Sequence, residues 1–197
     1  MLGFTEEALG IYRLKVPFEA IYTSVFLIKA PRGAALVDCA TTAFDVDNYI
    51  IPSLADMGYK LSDINFLVLT HSHSDHAGGL SRILELCPDI AVIRDARLIF
   101  DGIYTYPMSG HTVDCIGVFD GHTKTLISGD GLQGAGVDKY RCAVKDREAY
   151  SATLDRIKND KNVENVLFSH AYEPWYKDSV CGRENVLRCL EDCKKYL

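Results

Sequence analysis

The stretch Thr70-His71-Ser72-His73-Ser74-Asp75-His76 decides what this 197-residue chain is expected to be. It ends the apolar run 64–69, which predicts a strand covered on both faces. In extended backbone His71 and His73 leave one face about 6.5 Å apart, so both rings can reach one metal ion at ~2.0–2.1 Å. Asp75 and His76 can serve a second ion beside it. Mixed oxygen and nitrogen ligands favour Zn²⁺, Mn²⁺ or Fe²⁺.

Three other residues, later in the chain, are candidate ligands because each follows a predicted strand or lies just before one. They are His111, Asp130 between two glycines, and His170. Each has an ordinary alternative role: His111 as a cap, Asp130 as a turn residue and His170 as a structural histidine. Loops at strand ends gather along one rim of a layered sheet, so their common position behind the histidine cluster favours metal binding. His122 lies instead in the Asp120-Gly121 hairpin turn, which predicts an ordinary surface histidine at the opposite end of the sheet.

The rest of the chain reads as alternating strands and helices. We predict strands at 11–16, 21–29, 34–38, 64–69, 90–93, 115–119, 125–127 and 163–168, and helices at 47–57, 78–86, 146–158 and 184–196. Pro52 lies within the first helix, which must start late or bend there. This order predicts a layered α/β protein, with residues 1–197 forming one domain or two small halves that share a core.

Composition limits the classes of binding partner and the cellular compartment that we expect for the protein. The formal charge of −6, with scattered Lys and Arg, argues against a nucleic-acid partner. No stretch approaches the ~20 apolar residues that span a bilayer, and the N-terminus lacks the pattern of an export signal. Seven cysteines without a Cys-x-x-Cys pair favour reduced thiols and a cytoplasmic location. Cys189 and Cys193 share one helix face with apolar residues, which predicts core packing.

Taken in order, the motifs resemble the metallo-β-lactamase superfamily over most of the chain. The resemblance runs through Leu36-Val37-Asp38, the motif at 70–79, Ser109-Gly110-His111-Thr112, Leu126 to Asp130, and Ser169-His170. It implies a four-layer αβ/βα sandwich with metals at the edge of two packed sheets. The motif His-x-His-x-Asp-His is highly specific, whereas the later ones are informative mainly through their order.

The resemblance also implies roles for the site residues. His71, His73 and His111 would bind one divalent ion and Asp75, His76 and His170 the other, with Asp130 between them. Zinc is the metal implied first, with iron and manganese as alternatives. Asp75 would orient or deprotonate the attacking water, and Asp38 would hold a ligand histidine unless it is only a turn residue. Tyr172 could hold a substrate carbonyl, although packing beside its loop is the simpler role.

Some features depart from the family pattern. The third histidine lacks the usual Pro-Gly-His-Thr-Pro-Gly-Ser surroundings, and residues 94–109 are shorter than the usual connection, so the pocket is expected to differ. His73 stands where flavodiiron-type proteins have Glu, no flavin-binding segment follows, and the helical extension of glyoxalase-II-like enzymes is absent.

The leading hypothesis is a metallo-hydrolase that uses two metal ions to act on a small ester, thioester, lactone or phosphodiester. An iron-dependent oxidoreductase of the persulfide-dioxygenase type and a non-catalytic metal-binding module are the alternatives. The expected partner is a small-molecule substrate, with no nucleic acid, no membrane and no organic cofactor. The assembly is left open, with a homodimer among the options.

Overall fold

The computed structural model describes residues 2–132, 144–171, 177–195 and 197. The chain divides into two compact units, Met1–Arg94 and Asp95–Leu197, each with its own six-stranded sheet. The expectation of one domain over residues 1–197 stays a prediction. In the described part of the chain no helix is both long and apolar enough to cross a membrane.

The first unit is built on a mixed sheet in the sequential order β1-β2-β3-β4-β5-β6. The strands are β1 (Thr5–Ala8), β2 (Ile11–Phe18), β3 (Ile21–Ala30), β4 (Gly33–Val37), β5 (Ile64–Val68) and β6 (Ala91–Ile93). β1 to β4 run antiparallel to their neighbours, whereas β4, β5 and β6 run parallel. Because parallel strands end at the same edge, the segments after β4 and β5 emerge side by side.

The strand predicted at 64–69 is present, but the prediction that both its faces are covered is wrong for its first half. Asn65 is exposed and Phe66 is only half-buried, whereas Leu67 and Val68 are buried. The polar amide of Asn65 lies at the start of the strand, where its oxygen accepts a hydrogen bond from the Ala34 N–H at 3.0 Å.

The helical segment predicted at 47–57 begins earlier and is distorted. It consists of α1 (Ala43–Asp45), a π-helical turn (Val46–Ile50) and α2 (Ile51–Asp56). A capping box formed by Thr42 and Asp45 starts it. Pro52 lacks an N–H and would clash with a regular preceding turn, and the wider π turn accommodates it. Pro52 lies in the first turn of α2, directly after the π turn. Two further helices, α3 (Ser74–Ala77) and α4 (Leu80–Leu86), follow β5.

The second unit has a sheet in the order β12-β11-β10-β9-β8-β7. Its strands are β7 (Leu98–Phe100), β8 (Ile103–Pro107), β9 (Ile116–Asp120), β10 (Thr125–Ile127), β11 (Asn165–Leu167) and β12 (Ser179–Cys181). Only β10 and β11 are parallel neighbours; the other pairs are antiparallel. The predicted β9–β10 hairpin is confirmed. A 3₁₀ turn at Gly129–Gly131 follows β10.

Two helices cover an apolar core in this unit. α5 (Arg147–Asn159) begins at Asp146, whose side chain accepts a hydrogen bond from the Ala149 N–H at 2.9 Å. α6 (Arg183–Lys194) ends the described chain apart from its last residues. Both helices were predicted, as was the core position of Cys193 beside Leu190.

Candidate metal centre

In the first unit the ends of β4 and β5 place a carboxylate beside a histidine. Asp38 follows β4 directly, is fully buried and has a left-handed φ of 64°, a conformation that Asp tolerates better than most residues. One of its oxygens accepts from the Thr70 N–H at 2.8 Å. The other lies 2.8 Å from Thr70 Oγ1 and 2.7 Å from His76 Nδ1. Asp38 therefore contacts both ends of the motif 70–76.

These contacts determine which ring nitrogens carry hydrogen. A carboxylate only accepts, so the Thr70 hydroxyl and His76 Nδ1 both donate to Asp38. The Thr70 oxygen also lies 3.1 Å from His71 Nδ1, and having donated its only hydrogen to Asp38 it accepts one from that nitrogen. Neutral His71 and His76 thus present the lone pair of Nε2, the form in which imidazole binds a metal.

The remaining side chains of the motif converge on those lone pairs. The potential ligand atoms of His71 and His73 lie within 4.8 Å of each other. His71 packs against His73 and His76 with ring centroids 4.7 and 4.1 Å apart. An Asp75 carboxylate oxygen lies 3.3 Å from His76 Nε2. Since that nitrogen and that oxygen are both acceptors, a shared cation would stabilise their approach.

In the second unit Asp130 lies between two histidines. β10 and β11 pair in parallel, so Asp130 and His170 emerge at one edge, and the loop between β8 and β9 places His111 at the same edge. One oxygen of Asp130 is 3.3 Å from His170 Nε2, and the other is 3.6 Å from His111 Nε2. All three side chains are at least nine-tenths buried. The carboxylate therefore presents one oxygen to each histidine.

The spacing of these atoms tests whether metal ions fit. Two ligands bound tetrahedrally at ~2.0–2.1 Å from one ion lie about 3.4 Å from each other. The observed separations of 3.3, 3.3 and 3.6 Å agree with that value and exceed the ~2.7–2.9 Å of a charge-assisted hydrogen bond. Imidazole nitrogens and carboxylate oxygens, each held at ligand spacing, form a donor set that suits divalent zinc, iron or manganese.

Two buried thiols lie close to these segments and are inert. Burial, together with the neighbouring Asp38 carboxylate, raises the pKa of Cys39 to about 12. Burial also raises the pKa of Cys115 to about 11, although hydrogen bonding with Thr112 opposes the shift. Neither thiol forms an appreciable amount of thiolate at neutral pH, so neither is a nucleophile.

The structure brings together most of the residues predicted for the site, within the unit that each belongs to. Those of the first unit are Asp38, His71, His73, Asp75 and His76, and those of the second are His111, Asp130 and His170. His122 is exposed, and its Nε2–H donates a hydrogen bond to the Asp101 carbonyl at 2.9 Å, as expected for a surface residue. Tyr172 lies outside the described residues. Thr70 was not predicted to act, although a hydroxyl directly before the first histidine was the available signal.

Comparison with known proteins agrees with the motifs. The model of the metallo-beta-lactamase superfamily matches residues 19–100. The Beta-lactamase-like protein 2 homolog of Caenorhabditis elegans is 25% identical over 176 residues, which are 78% of this chain and 57% of that protein. A hydroxyacylglutathione hydrolase of Pseudomonas savastanoi pv. phaseolicola is 28% identical over 157 residues, covering 66% of this chain and 60% of the enzyme. The chain thus spans less than two thirds of the length of these two relatives. Ribonuclease J of Mycobacterium tuberculosis is 46% identical over 44 residues, which are 22% of this chain and 8% of that enzyme.

Solved structures share the fold. The metallo-beta-lactamase FIM-1 from Pseudomonas aeruginosa, in its mono-zinc form, is 18% identical and superposes with a TM-score of 0.76, covering 100% of this chain and 96% of the other. VMB-1 is 16% identical and superposes with a TM-score of 0.77, covering 100% of this chain and 98% of the other. The expected fold class, the αβ/βα sandwich of the metallo-β-lactamase type, is confirmed, and so is the family resemblance.

Proposed function

We propose that the protein is a metal-dependent hydrolase with a binuclear site. The chain has the metallo-β-lactamase fold and matches the superfamily model over residues 19–100. We assign His71, His73 and His111 to one ion and Asp75, His76 and His170 to the other, with Asp130 between the ions. Zinc is the metal we propose, and iron and manganese are the alternatives. The single observation that supports two ions best is Asp130, which presents a separate oxygen to each of two histidines.

The ions would supply an activated water and a positive charge beside the bond to be broken. The protein's own side chains would hold the ions and orient the reacting groups. Asp38 and Thr70 keep His71 and His76 in the tautomer whose Nε2 binds a cation. Asp75 is partly accessible, with 13% of its side chain exposed, and can take a proton from the attacking water. A role for Tyr172 at the substrate carbonyl stays a prediction.

We propose a small ester, thioester, lactone or phosphodiester as substrate. Of the relatives, the hydroxyacylglutathione hydrolase supports a small-molecule hydrolase. The ribonuclease J match covers less than a quarter of the chain, and the net charge of −6 opposes binding along a phosphate backbone. RNA therefore belongs in the substrate panel, and its cleavage would replace the small-molecule assignment.

The proposed cytoplasmic location and assembly are separate predictions. Cys39, Cys87, Cys115, Cys181 and Cys189 are free thiols, which suits a reducing compartment. A homodimer would be recognised by light scattering as twice the 21.9 kDa chain mass.

Metal analysis together with turnover tests the proposal. The purified protein should hold two divalent ions per chain and hydrolyse at least one substrate of the panel. His111→Ala should lose one ion and activity, whereas His122→Ala, a histidine of the same unit outside the site, should lose neither. One iron per chain with oxygen uptake would favour the dioxygenase, and a fully loaded protein without turnover would favour a binding module. Either result would overturn the proposal.

A further inference from the structure

The loop that carries His111 is fastened to one face of α5. We call residues 108–115 the His111 loop. Thr153 Oγ1 donates to the Ser109 carbonyl at 2.7 Å, and the N–H groups of Lys145 and Asp146 donate to the Gly110 carbonyl at 2.9 and 3.0 Å. Just before the loop, the Arg156 guanidinium donates to the Pro107 carbonyl at 3.1 Å. Three of the four carbonyls that precede His111, those of Pro107, Ser109 and Gly110, are thus held by α5 and the two residues before it.

A close backbone approach reinforces these hydrogen bonds. Gly110 has a φ of +139°, which a residue with a side chain rarely adopts, and a Cβ there would lie 2.6 Å from both Cα and Cβ of Tyr150. The residue directly before His111 therefore packs against the first turn of α5 without an intervening side chain. Tyr150 itself is buried in the core of this unit.

The same loop also supports the turn of Asp130. A Cβ on Gly131 would lie 2.6 Å from Met108 Cβ and 2.9 Å from the Met108 carbonyl oxygen. Met108 is fully buried, and its N–H donates to the Cys115 carbonyl at 3.1 Å, which closes the base of the His111 loop. A displacement of the loop therefore reaches Asp130 through Met108, whereas His170 follows β11 and is held by a different strand.

We propose that α5 is the positioning element of this half of the centre, with Thr153 as its principal positioning residue. The inference rests on the proposed function. Thr153 is 1% exposed and bonds a carbonyl two residues before His111. Without the hydroxyl, the Ser109 carbonyl stays buried but loses this hydrogen bond, and the loop is held less firmly. The distance between His111 Nε2 and Asp130 is then no longer fixed. Its hydroxyl bonds the backbone of the loop, so the residue acts through the loop.

Binding of Zn²⁺ to the full chain, measured by competition with a chromophoric chelator, tests this. Thr153→Val keeps the shape of the side chain and removes its hydroxyl. We expect one of two zinc dissociation constants to rise about 10–100-fold, while the other changes by less than about threefold. Thr153→Ser should restore wild-type binding because it keeps the hydroxyl.

A matched control separates positioning from stability. Thr125 is equally buried, belongs to the same unit and donates to a backbone carbonyl, that of Thr123 at 3.2 Å, but it starts β10 at the end far from Asp130. Thr125→Val should lower the melting temperature without changing either zinc constant. If Thr153→Val behaves as Thr125→Val does, Thr153 is merely structural and the inference is wrong.

Two outcomes distinguish this inference from the proposed function. A wild-type protein that binds neither zinc nor iron nor manganese overturns both, whereas two bound zinc ions with unchanged constants in Thr153→Val overturn only the role of α5. Should Thr153→Val fail to fold, Arg156→Met serves instead, because Arg156 is exposed. It should weaken one ion about threefold, and unchanged constants would count against the inference.

Discussion

Replacing Asp38 by Asn removes one acceptor from the centre of the first unit while keeping size and backbone conformation. Asn tolerates the left-handed φ of 64° as Asp does, so the substitution adds no backbone strain. The carboxylate receives three hydrogen bonds, from the Thr70 N–H, the Thr70 hydroxyl and His76 Nδ1. An amide has one acceptor oxygen, so whichever way it is oriented its NH₂ group faces at least one of these donors.

The size of the effect follows from that count. A hydrogen bond to a charged group contributes about 1.5–3 kcal/mol when buried, and the amide oxygen retains part of the network. We expect Asp38→Asn to lower the free energy of unfolding by about 3 kcal/mol, or about 6–12 °C in melting temperature for a chain of this size. Where the NH₂ group faces His76 Nδ1, that nitrogen becomes the acceptor and the proton moves to Nε2. Zinc affinity should then fall about 10–100-fold.

Two measurements and one control make the prediction specific. Urea unfolding in the presence of chelator gives the stability of the metal-free chain, and chelator competition gives the zinc constants. The control is Asp45→Asn in the same unit. Asp45 is also buried, and its carboxylate accepts from the N–H of Thr41, the N–H of Thr42 and the hydroxyl of Thr42 at 3.2, 2.8 and 2.9 Å. It caps α1 and contacts no proposed ligand.

All three donors to Asp45 reach the same oxygen, so Asp45→Asn should lose only the charge of these hydrogen bonds, and some stability with it, and should keep both zinc constants. If Asp38→Asn also keeps both zinc constants, the tautomer argument is refuted, whatever happens to stability. A stability loss below about 1 kcal/mol would show in addition that the three hydrogen bonds to Asp38 contribute less than buried charge-assisted bonds usually do.

Four further results are expected. Removal of metal by chelator should lower the free energy of unfolding by about 2.7 kcal/mol relative to protein held at zinc a hundredfold above its dissociation constant, measured by thermal unfolding at both zinc levels; an unchanged melting temperature would contradict metal binding. Gly79→Ala should destabilise the first unit by about 3 kcal/mol or more, because its Cβ would lie 2.2 Å from the Cys39 carbonyl oxygen, whereas Gly3→Ala, with open space around it, should be neutral in urea unfolding. Native-state alkylation at pH 8, followed by mass spectrometry, should modify exposed Cys181 and leave Cys39 and Cys115 intact. Because the pKa of Cys39 is raised to about 12, the folded chain keeps a proton that the unfolded chain releases near pH 9, so stability should fall between about pH 9 and 12, and Cys39→Ala should flatten that part of the pH profile.

The sequence predicted long elements and ligand types well, because both depend on local pattern. The apolar spacing of Tyr150, Leu154 and Ile157 is enough to place α5, and the Asp120-Gly121 turn is enough to place the β9–β10 hairpin. It did not predict β1, β7, β8 and β12, which are three to five residues long. Such short strands have too few residues for alternation to show, and β1 carries Glu6 and Glu7 on an edge. Their pairing depends on partners elsewhere in the chain.

The contacts that hold the proposed ligands in place could not be predicted from local sequence pattern either. Thr70 adjoins His71 in sequence, yet its role depends on Asp38, thirty-two positions earlier, accepting its hydrogen. Thr153 lies forty-four positions from the carbonyl that it holds. The distances between ligand atoms follow from these tertiary contacts, whereas the ligand identities were already visible in the chain.

Strand direction explains why the proposed ligands lie where they do. Each sheet is largely antiparallel, yet each contains parallel neighbours, and these are the strands whose ends carry site residues: β4 and β5 precede Asp38 and Thr70, and β10 and β11 precede Asp130 and His170. Parallel strands bring their carboxyl ends to one edge, which antiparallel neighbours cannot do. His111 reaches that edge because β9 starts where β10 ends, and His122 is excluded because the β9–β10 turn lies at the other end of the same strands. Two histidines with almost identical Gly-His-Thr surroundings thus differ in role through the direction of the strands beside them.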